Sequence, residues 1–170
     1  MFLGIFLIAI RWWTESRTIY KSFILRIFMD LLIMDRWDAE YYNPSRETHA
    51  IRIHGPGDVE PSLSPLRDSP LYRTYAYYFD DSTPDNLAGG SLLFDRDIAR
   101  KIIEDFSGNK DYCKDLLVHC MMGISRSPAV AIALNKIFNL GHDSDYIKLR
   151  FPYFNPWVYD VMIRTSEEMK

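Results

Sequence analysis

Short apolar runs alternate with longer segments of helical periodicity from residue 29 to the end of the chain. A continuous or alternating apolar run bounded by turn residues is typical of a half-buried or fully buried strand. Such runs predict four strands: DLLIMD (30–35), HAIRIH (49–54), YRTYAYYF (72–79) and DLLVH (115–119).

The intervening segments carry helix signals. RWDAEYYN predicts one or two helical turns that end before Asn43 and Pro44. Longer helices are predicted where apolar residues recur at helical spacing and where acids, asparagine or proline precede them and glycine follows. These helices are DRDIARKIIEDFSG (95–108), SPAVAIALNKIFNLG (127–141) and NPWVYDVMIRTSEEM (155–169).

The alternation of strands and helices predicts an α/β fold, with a central mixed, mostly parallel sheet and helices on both faces. Residues 58–71 and 80–91 have the composition of loops. Sites in open α/β sheets lie beyond the carboxyl ends of the strands. The buried run DLLVH delivers Cys120 to that edge.

Residues 1–28 stand apart from this pattern. Their first ten residues are apolar up to Arg11, whereas a spanning helix needs roughly 17–25 residues. Three interpretations are open: an extra helix packed on the domain, an amphipathic segment on a membrane surface, or an upstream translation artefact. We favour a start at Met29 and one domain over 29–170, and prefer packing to membrane contact among the other two.

Charge and cysteine content restrict the partners and the compartment. The net charge is −3 and the pI is about 5.8, without the basic stripe of a nucleic-acid-binding protein. The cysteines are only two, Cys113 and Cys120, which favours a reducing compartment over a disulfide framework. We therefore expect a cytoplasmic protein and no nucleic-acid partner.

The stretch HCMMGISRS, from His119 to Ser127, concentrates the chemistry of the chain. A helix start and a nearby arginine both favour a cysteine thiolate, and Cys120 has both. Gly123 permits a positive φ, so backbone N–H groups from Met121 to Arg126 can converge on an anion. The planar fork of Arg126 matches two phosphate oxygens. A thiolate beneath bound phosphate predicts nucleophilic attack and a phosphocysteine intermediate.

These residues resemble the H-C-x5-R-[ST] signature of cysteine-dependent protein tyrosine phosphatases, and GISRSPAVA is most similar to the dual-specificity branch. The resemblance extends over about residues 29–170. It implies that the loop formed by Met121, Met122, Gly123, Ile124, Ser125, Arg126 and Ser127 binds substrate phosphate. It also implies that His119 is structural and that Ser127, besides a capping role, can donate to the thiolate.

Other branches of the superfamily match less well. Low-molecular-weight phosphatases carry this loop at the N-terminus, and the larger tyrosine phosphatases have glycine where Ser125 stands. Lipid phosphatases typically have lysine-rich loops, whereas Met121, Met122 and Ile124 are uncharged. The resemblance therefore implies a phosphorylated protein or peptide as substrate.

The same resemblance implies an aspartate on a loop after a strand, which protonates the leaving oxygen. Asp80, Asp81 and Asp85 compete for this role. We favour Asp81, which lies 39 positions before Cys120, shortly after the end of the strand YAYYF and before a small hydroxylated residue.

The function predicted from the sequence is hydrolysis of phosphotyrosine, with phosphoserine and phosphothreonine as further substrates. Cys120 is the nucleophile, Arg126 binds the phosphate and Asp81 is the acid. This chemistry needs no cofactor or metal, and the histidines have no metal-ligand spacing. Two alternatives remain: a phosphate-binding module with weak catalysis, and a phosphatase of RNA 5′ ends or small phosphoesters.

Overall fold

The computed structural model describes residues 29–55, 66–87 and 89–170. Residues 1–28, with the three interpretations given above, lie outside the described residues, as does part of the predicted 58–71 loop. Four strands form one sheet in the order β1-β4-β2-β3, and every pairing between them is parallel. The strands are β1 (Asp30–Met34), β2 (Thr48–His54), β3 (Tyr72–Tyr78) and β4 (Asp115–His119).

Five α-helices accompany these strands in the described part of the chain, together with a short 3₁₀ turn, Pro84–Asn86. Side chains cap several of them: Asp95 accepts from the N–H of Ile98, and Asn155 accepts from the N–H of Val158. The helices are α1 (Arg36–Tyr41), α2 (Arg96–Ser107), α3 (Arg126–Phe138), α4 (Ser144–Arg150) and α5 (Pro156–Glu168).

The two faces of the sheet are covered unequally. Alternate residues of β2 and β4 enter a large core, which α2, α3 and α5 complete with fully buried side chains such as Phe106 and Met162. The residues between them, Ala50 and Leu117, pack on the other face against Ala39 of α1 and Leu66. The predicted α/β fold with helices on both faces is therefore confirmed.

The structure corrects the predicted end of one helix and adds a helix that was not predicted. The helix predicted over 127–141 ends at Phe138, because Asn139 adopts the left-handed conformation (φ 50°) and terminates it before Gly141. Helix α4 was not predicted at all. Its signal was Asp143, whose carboxylate accepts from the N–H groups of Asp145 and Tyr146.

Within the described ranges, none of the helices combines the length and the apolar character that crossing a membrane requires.

Candidate active site

Cys120 follows β4 directly and is almost fully buried, with 3% of its surface exposed. Its Sγ lies 3.3 Å from the Oγ of Ser127, which is itself buried in the first turn of α3. A hydroxyl at this distance can donate to a thiolate, whose sulfur is a stronger acceptor than that of a thiol. The strand and the helix therefore bring the two groups together.

The loop between β4 and α3 is held against the junction of β1 and α1. The N–H of Arg36 donates to the carbonyl of Met121 at 3.2 Å. Gly123 has φ +68°, and a Cβ there would lie 2.7 Å from the backbone nitrogen of Asp35 and 2.8 Å from the carbonyl carbon of Met34. Only glycine fits both this conformation and this close approach. Gly123 thus adopts the positive φ that a glycine at this position permits.

Arg126 begins α3 and is 9% exposed. Its Nη1 donates at 2.9 Å to the carbonyl oxygen of Phe79, the residue directly after β3. Its Nε is also buried but has no hydrogen-bond partner among the described residues. A buried charged donor without an acceptor is costly, so this nitrogen is suited to an anionic ligand.

The three candidate aspartates occupy different environments. The Oδ1 of Asp81 accepts from the hydroxyl of Ser125 at 2.7 Å, so its carboxylate reaches the loop. The carboxylate of Asp80 accepts from the N–H of Leu92, whose carbonyl accepts from the N–H of Asp80. Asp85 is exposed in the 3₁₀ turn. Of the three, Asp81 has a hydrogen bond to the loop.

Asn155 is a further residue of this site that sequence reasoning interpreted only as a helix cap. Its Nδ2 donates to the Oδ1 of Asp81 at 2.9 Å, and its backbone N–H donates to the carbonyl of Ser125 at 3.1 Å. The motif NPW was the available signal, but it indicates a helix start and says nothing about a contact with residue 81.

His119 is the last residue of β4, directly before Cys120, and is 2% exposed. Burial, assisted by the nearby positive charge of Arg52, lowers the pKa of His119 to about 3. The Nε of Arg52 donates to its Nε2 at 3.3 Å, so this ring nitrogen carries the lone pair. A neutral imidazole engaged in this way fits the structural role that the resemblance implied better than a role as a base.

The outward side chains of the loop form an apolar rim. Met122 is 58% exposed and Ile124 is 45% exposed, whereas Met121 and Ser125 are half-buried. An exposed apolar rim favours contacts with uncharged parts of a ligand, beyond the anion itself.

Known structures resemble this chain, although no protein-family profile and no curated protein sequence matches it. The human tyrosine phosphatase-like serine/threonine/tyrosine-interacting protein superposes with a TM-score of 0.55 at 20% identity, covering 85% of this chain and 93% of the other. PTPMT1 in complex with PI(5)P superposes with a TM-score of 0.51 at 11% identity, covering 85% of this chain and 94% of the other.

These likenesses establish the fold, which is that of the tyrosine and dual-specificity phosphatases. The resemblance inferred from HCMMGISRS is therefore confirmed at the level of the architecture. Activity and substrate do not follow from the fold, because one fold supports several functions.

Proposed function

We propose that residues 29–170 form a cysteine-dependent phosphatase domain that hydrolyses phosphotyrosine in proteins or peptides. Phosphoserine and phosphothreonine are further candidate substrates. The reaction proceeds through a phosphocysteine intermediate on Cys120. The loop from Met121 to Ser127 holds the phosphate, Arg126 supplies charge, and Asp81 moves the proton.

The state of Arg126 is the observation that carries this proposal. Its Nη1 is anchored on the carbonyl of Phe79, while its buried Nε lacks a partner among the described residues. The guanidinium is thus oriented before any ligand arrives and keeps a donor for it. Preorganised donors of this kind stabilise charge that develops in a transition state.

The chemistry needs two displacements at phosphorus. The Sγ of Cys120 attacks the phosphorus, the bond to the ester oxygen breaks, and that oxygen takes a proton from Asp81. Water then attacks the phosphocysteine, Asp81 accepts a proton from the water, and the bond from phosphorus to sulfur breaks. The hydroxyl of Ser127, 3.3 Å from Sγ, can donate to the thiolate that leaves.

The apolar rim supports an aromatic phosphoester in a peptide over a polyanionic ligand. Met122 and Ile124 add no cation beside Arg126, so the additional phosphates of an inositol phosphate find no charged partner there. The similar structure of PTPMT1 is a complex with PI(5)P. Inositol phosphates therefore belong in any substrate comparison.

Turnover of an aryl phosphate by the purified full chain distinguishes an active phosphatase from the alternative, a phosphate-binding module with weak catalysis. We expect turnover by the wild type and by Cys113→Ser, and a loss of at least about a thousand-fold in Cys120→Ser. A serine hydroxyl stays protonated where a thiol ionises. Vanadate binding without turnover in the wild type would favour a binding module, and an active Cys120→Ser would exclude Cys120 as the nucleophile.

Leaving-group dependence tests Asp81 as the acid. Asp81→Asn should slow hydrolysis of phenyl phosphate by roughly 10²–10⁴ but should slow an ester of an acidic, fluorinated phenol far less. Asp80→Asn and Asp85→Asn are the matched controls. If Asp80→Asn shows this dependence and Asp81→Asn does not, the acid lies one residue earlier.

A substrate panel tests the class of phosphoester. Phosphotyrosine, phosphoserine and phosphothreonine peptides should be compared with PI(5)P, nucleotides and RNA bearing a 5′ phosphate at matched concentration. We expect the highest kcat/KM for phosphotyrosine peptides. A preference for PI(5)P or for RNA 5′ ends would contradict the proposed substrate while leaving the cysteine chemistry intact.

A further inference from the structure

Asp81 is held by two donors that arrive at the same oxygen. The hydroxyl of Ser125 and the Nδ2 of Asn155 lie 2.7 Å and 2.9 Å from its Oδ1. Among the described residues, the other oxygen, Oδ2, accepts no hydrogen bond. A carboxylic acid carries its proton on one oxygen and keeps acceptor capacity on the other.

The side chain of Asn155 has two different tasks, which determine its orientation. Its Oδ1 accepts from the N–H of Val158 and so caps α5, while its Nδ2 faces the carboxylate. Exchanging the two atoms would oppose donor to donor at Val158 and acceptor to acceptor at Asp81. Asn155 is 4% exposed, so a lost partner would be left unsatisfied in the interior.

The helix cap alone does not require asparagine. Serine and aspartate cap helices about as well as asparagine does, yet neither offers an amide donor. The donor serves only the contact with Asp81. The backbone N–H of Asn155 also donates to the carbonyl of Ser125, at 3.1 Å. One residue at the start of α5 therefore contacts both Asp81 and the loop between β4 and α3.

We infer that Asn155 is a positioning residue for the proton transfer, because with Ser125 it holds the Oδ1 of Asp81 and leaves Oδ2 to carry the proton. This inference rests on the proposed phosphatase function. The acid is then oriented in the free protein, and its reactive oxygen is set by residues that themselves transfer no proton. An error of about 1 Å in such placement can cost on the order of a hundred-fold in rate.

The test compares Asn155→Ser and Asn155→Thr with the wild type on phenyl phosphate and on a fluorinated phenyl phosphate. Both variants keep a capping oxygen, and both lose the amide donor without adding a charge beside Asp81. We expect kcat on phenyl phosphate to fall roughly 10- to 100-fold, with KM changed less than about two-fold. The fluorinated ester should slow by less than about three-fold, because its leaving group needs little protonation.

Two further comparisons separate positioning from general stability. Asn135 is a buried asparagine whose amide donates to the carbonyl of His142 and to Ser144, outside this site. Asn135→Ser should lower the melting temperature without changing the ratio of the two ester rates. In an Asp81→Asn background, Asn155→Ser should add no further loss specific to the poor leaving group, because both act through one carboxyl.

The inference is overturned if Asn155→Ser slows both esters equally. It is also overturned if Asn155→Ser still causes a loss specific to phenyl phosphate in the Asp81→Asn background. If the Asn155 variants do not fold, Ser125→Ala removes the other donor; Ser125 is the N-cap residue of α3, but its side chain makes no capping hydrogen bond there. It should show the same leaving-group dependence, and its absence would count against the inference. Should Asp81→Asn itself show no such dependence, the acid assignment in the proposed function fails and this inference fails with it.

Discussion

At the scale of the residue, the guanidinium of Arg126 is shared between the protein and the proposed ligand. One nitrogen binds the carbonyl of Phe79 and another is buried without a partner among the described residues. A lysine has the same charge but has no planar fork, so it cannot serve both partners in this geometry.

We therefore expect Arg126→Lys to lower kcat by roughly 10²–10³, the scale of losing one preorganised donor. Steady-state kinetics on an aryl phosphate measures this effect. Arg96→Lys is the matched control, because Arg96 is exposed on α2 and pairs with Glu168 at the surface. Near-normal turnover by Arg126→Lys would show that catalysis does not require two guanidinium nitrogens that bind different acceptors.

Gly123 determines how closely the loop approaches the junction of β1 and α1. A Cβ would lie 2.7–2.9 Å from backbone atoms of Met34 and Asp35, which cannot rotate away as a flexible side chain could. We expect Gly123→Ala to lower the free energy of unfolding by on the order of 2–4 kcal/mol. If the loop binds phosphate as proposed, activity should fall as well, because a displaced loop would hold the phosphate less well.

Chemical denaturation together with kinetics checks this prediction. Gly89→Ala is the matched control, since a Cβ at that position meets nothing within 4 Å. An active and equally stable Gly123→Ala would mean that the contact with Met34 and Asp35 does not control the loop.

At the scale of the element, β4 determines the redox chemistry open to the two cysteines. Cys113 precedes the strand and Cys120 follows it. The first and last Cα atoms of this five-residue strand lie roughly 13 Å apart, whereas disulfide Cα atoms lie within about 7 Å of each other. The strand therefore keeps the two sulfurs apart.

We expect mild peroxide treatment to inactivate the protein reversibly by forming a sulfenic acid on Cys120, with recovery upon thiol addition. Mass spectrometry of the native protein should find no bridge between Cys113 and Cys120. Cys113→Ser should be inactivated and recover as the wild type does. An intramolecular bridge formed without denaturant would contradict the extended β4.

At the scale of the whole molecule, the larger core contains a histidine without a hydrogen-bond partner among the described residues. His49 of β2 is fully buried, stacks on Tyr75 with ring centroids 4.7 Å apart and meets the edge of Phe106. Burial lowers the pKa of His49 to about 4, although Asp105 partly opposes the shift.

This burial makes folding sensitive to acid. Between pH 6.5 and about 4 the unfolded chain binds a proton at His49 that the folded chain does not, so stability falls as the pH falls. The loss amounts to about 3 kcal/mol for this group and levels off below pH 4. His119, with a pKa lowered to about 3, acts in the same direction.

Urea denaturation at several pH values between 4 and 7.5 measures the dependence. His49→Phe keeps an aromatic ring in the stack and cannot titrate. The number of protons taken up on unfolding, which sets the slope of the unfolding free energy against pH, should therefore fall by up to one. An unchanged slope in His49→Phe would assign the acid sensitivity to other groups.

The domain proposed for residues 29–170 has its own test. Met29 is 8% exposed, and its carbonyl oxygen lies 2.7 Å from the Nε2 of His142. We expect a chain that begins at Met29 to melt within a few degrees of the full chain and to have the same kcat/KM on an aryl phosphate. A much lower melting temperature would show that residues 1–28 contribute to folding.

The four strands, the three longer helices and the loop proposed to bind phosphate could be predicted from the sequence, because they depend on residues that are neighbours in the chain. Strand and helix patterns extend over a few residues, and HCMMGISRS contains the thiol, the glycine and the arginine together. Errors arose where the local signal was weak: Asn139, in place of a glycine, ended α3, and the short α4 had little apolar periodicity.

The contact between Asp81 and the loop, and the residues that hold the carboxylate there, depend on segments far apart in the chain. Asp81 lies 44 positions from Ser125 and 74 positions from Asn155. Their contact depends on where β3 lies in the sheet and on how α5 packs in the larger core. No pattern within a short stretch of sequence encodes that packing. The same holds for Gly123, whose need for a hydrogen side chain comes from Met34 and Asp35, some ninety residues earlier.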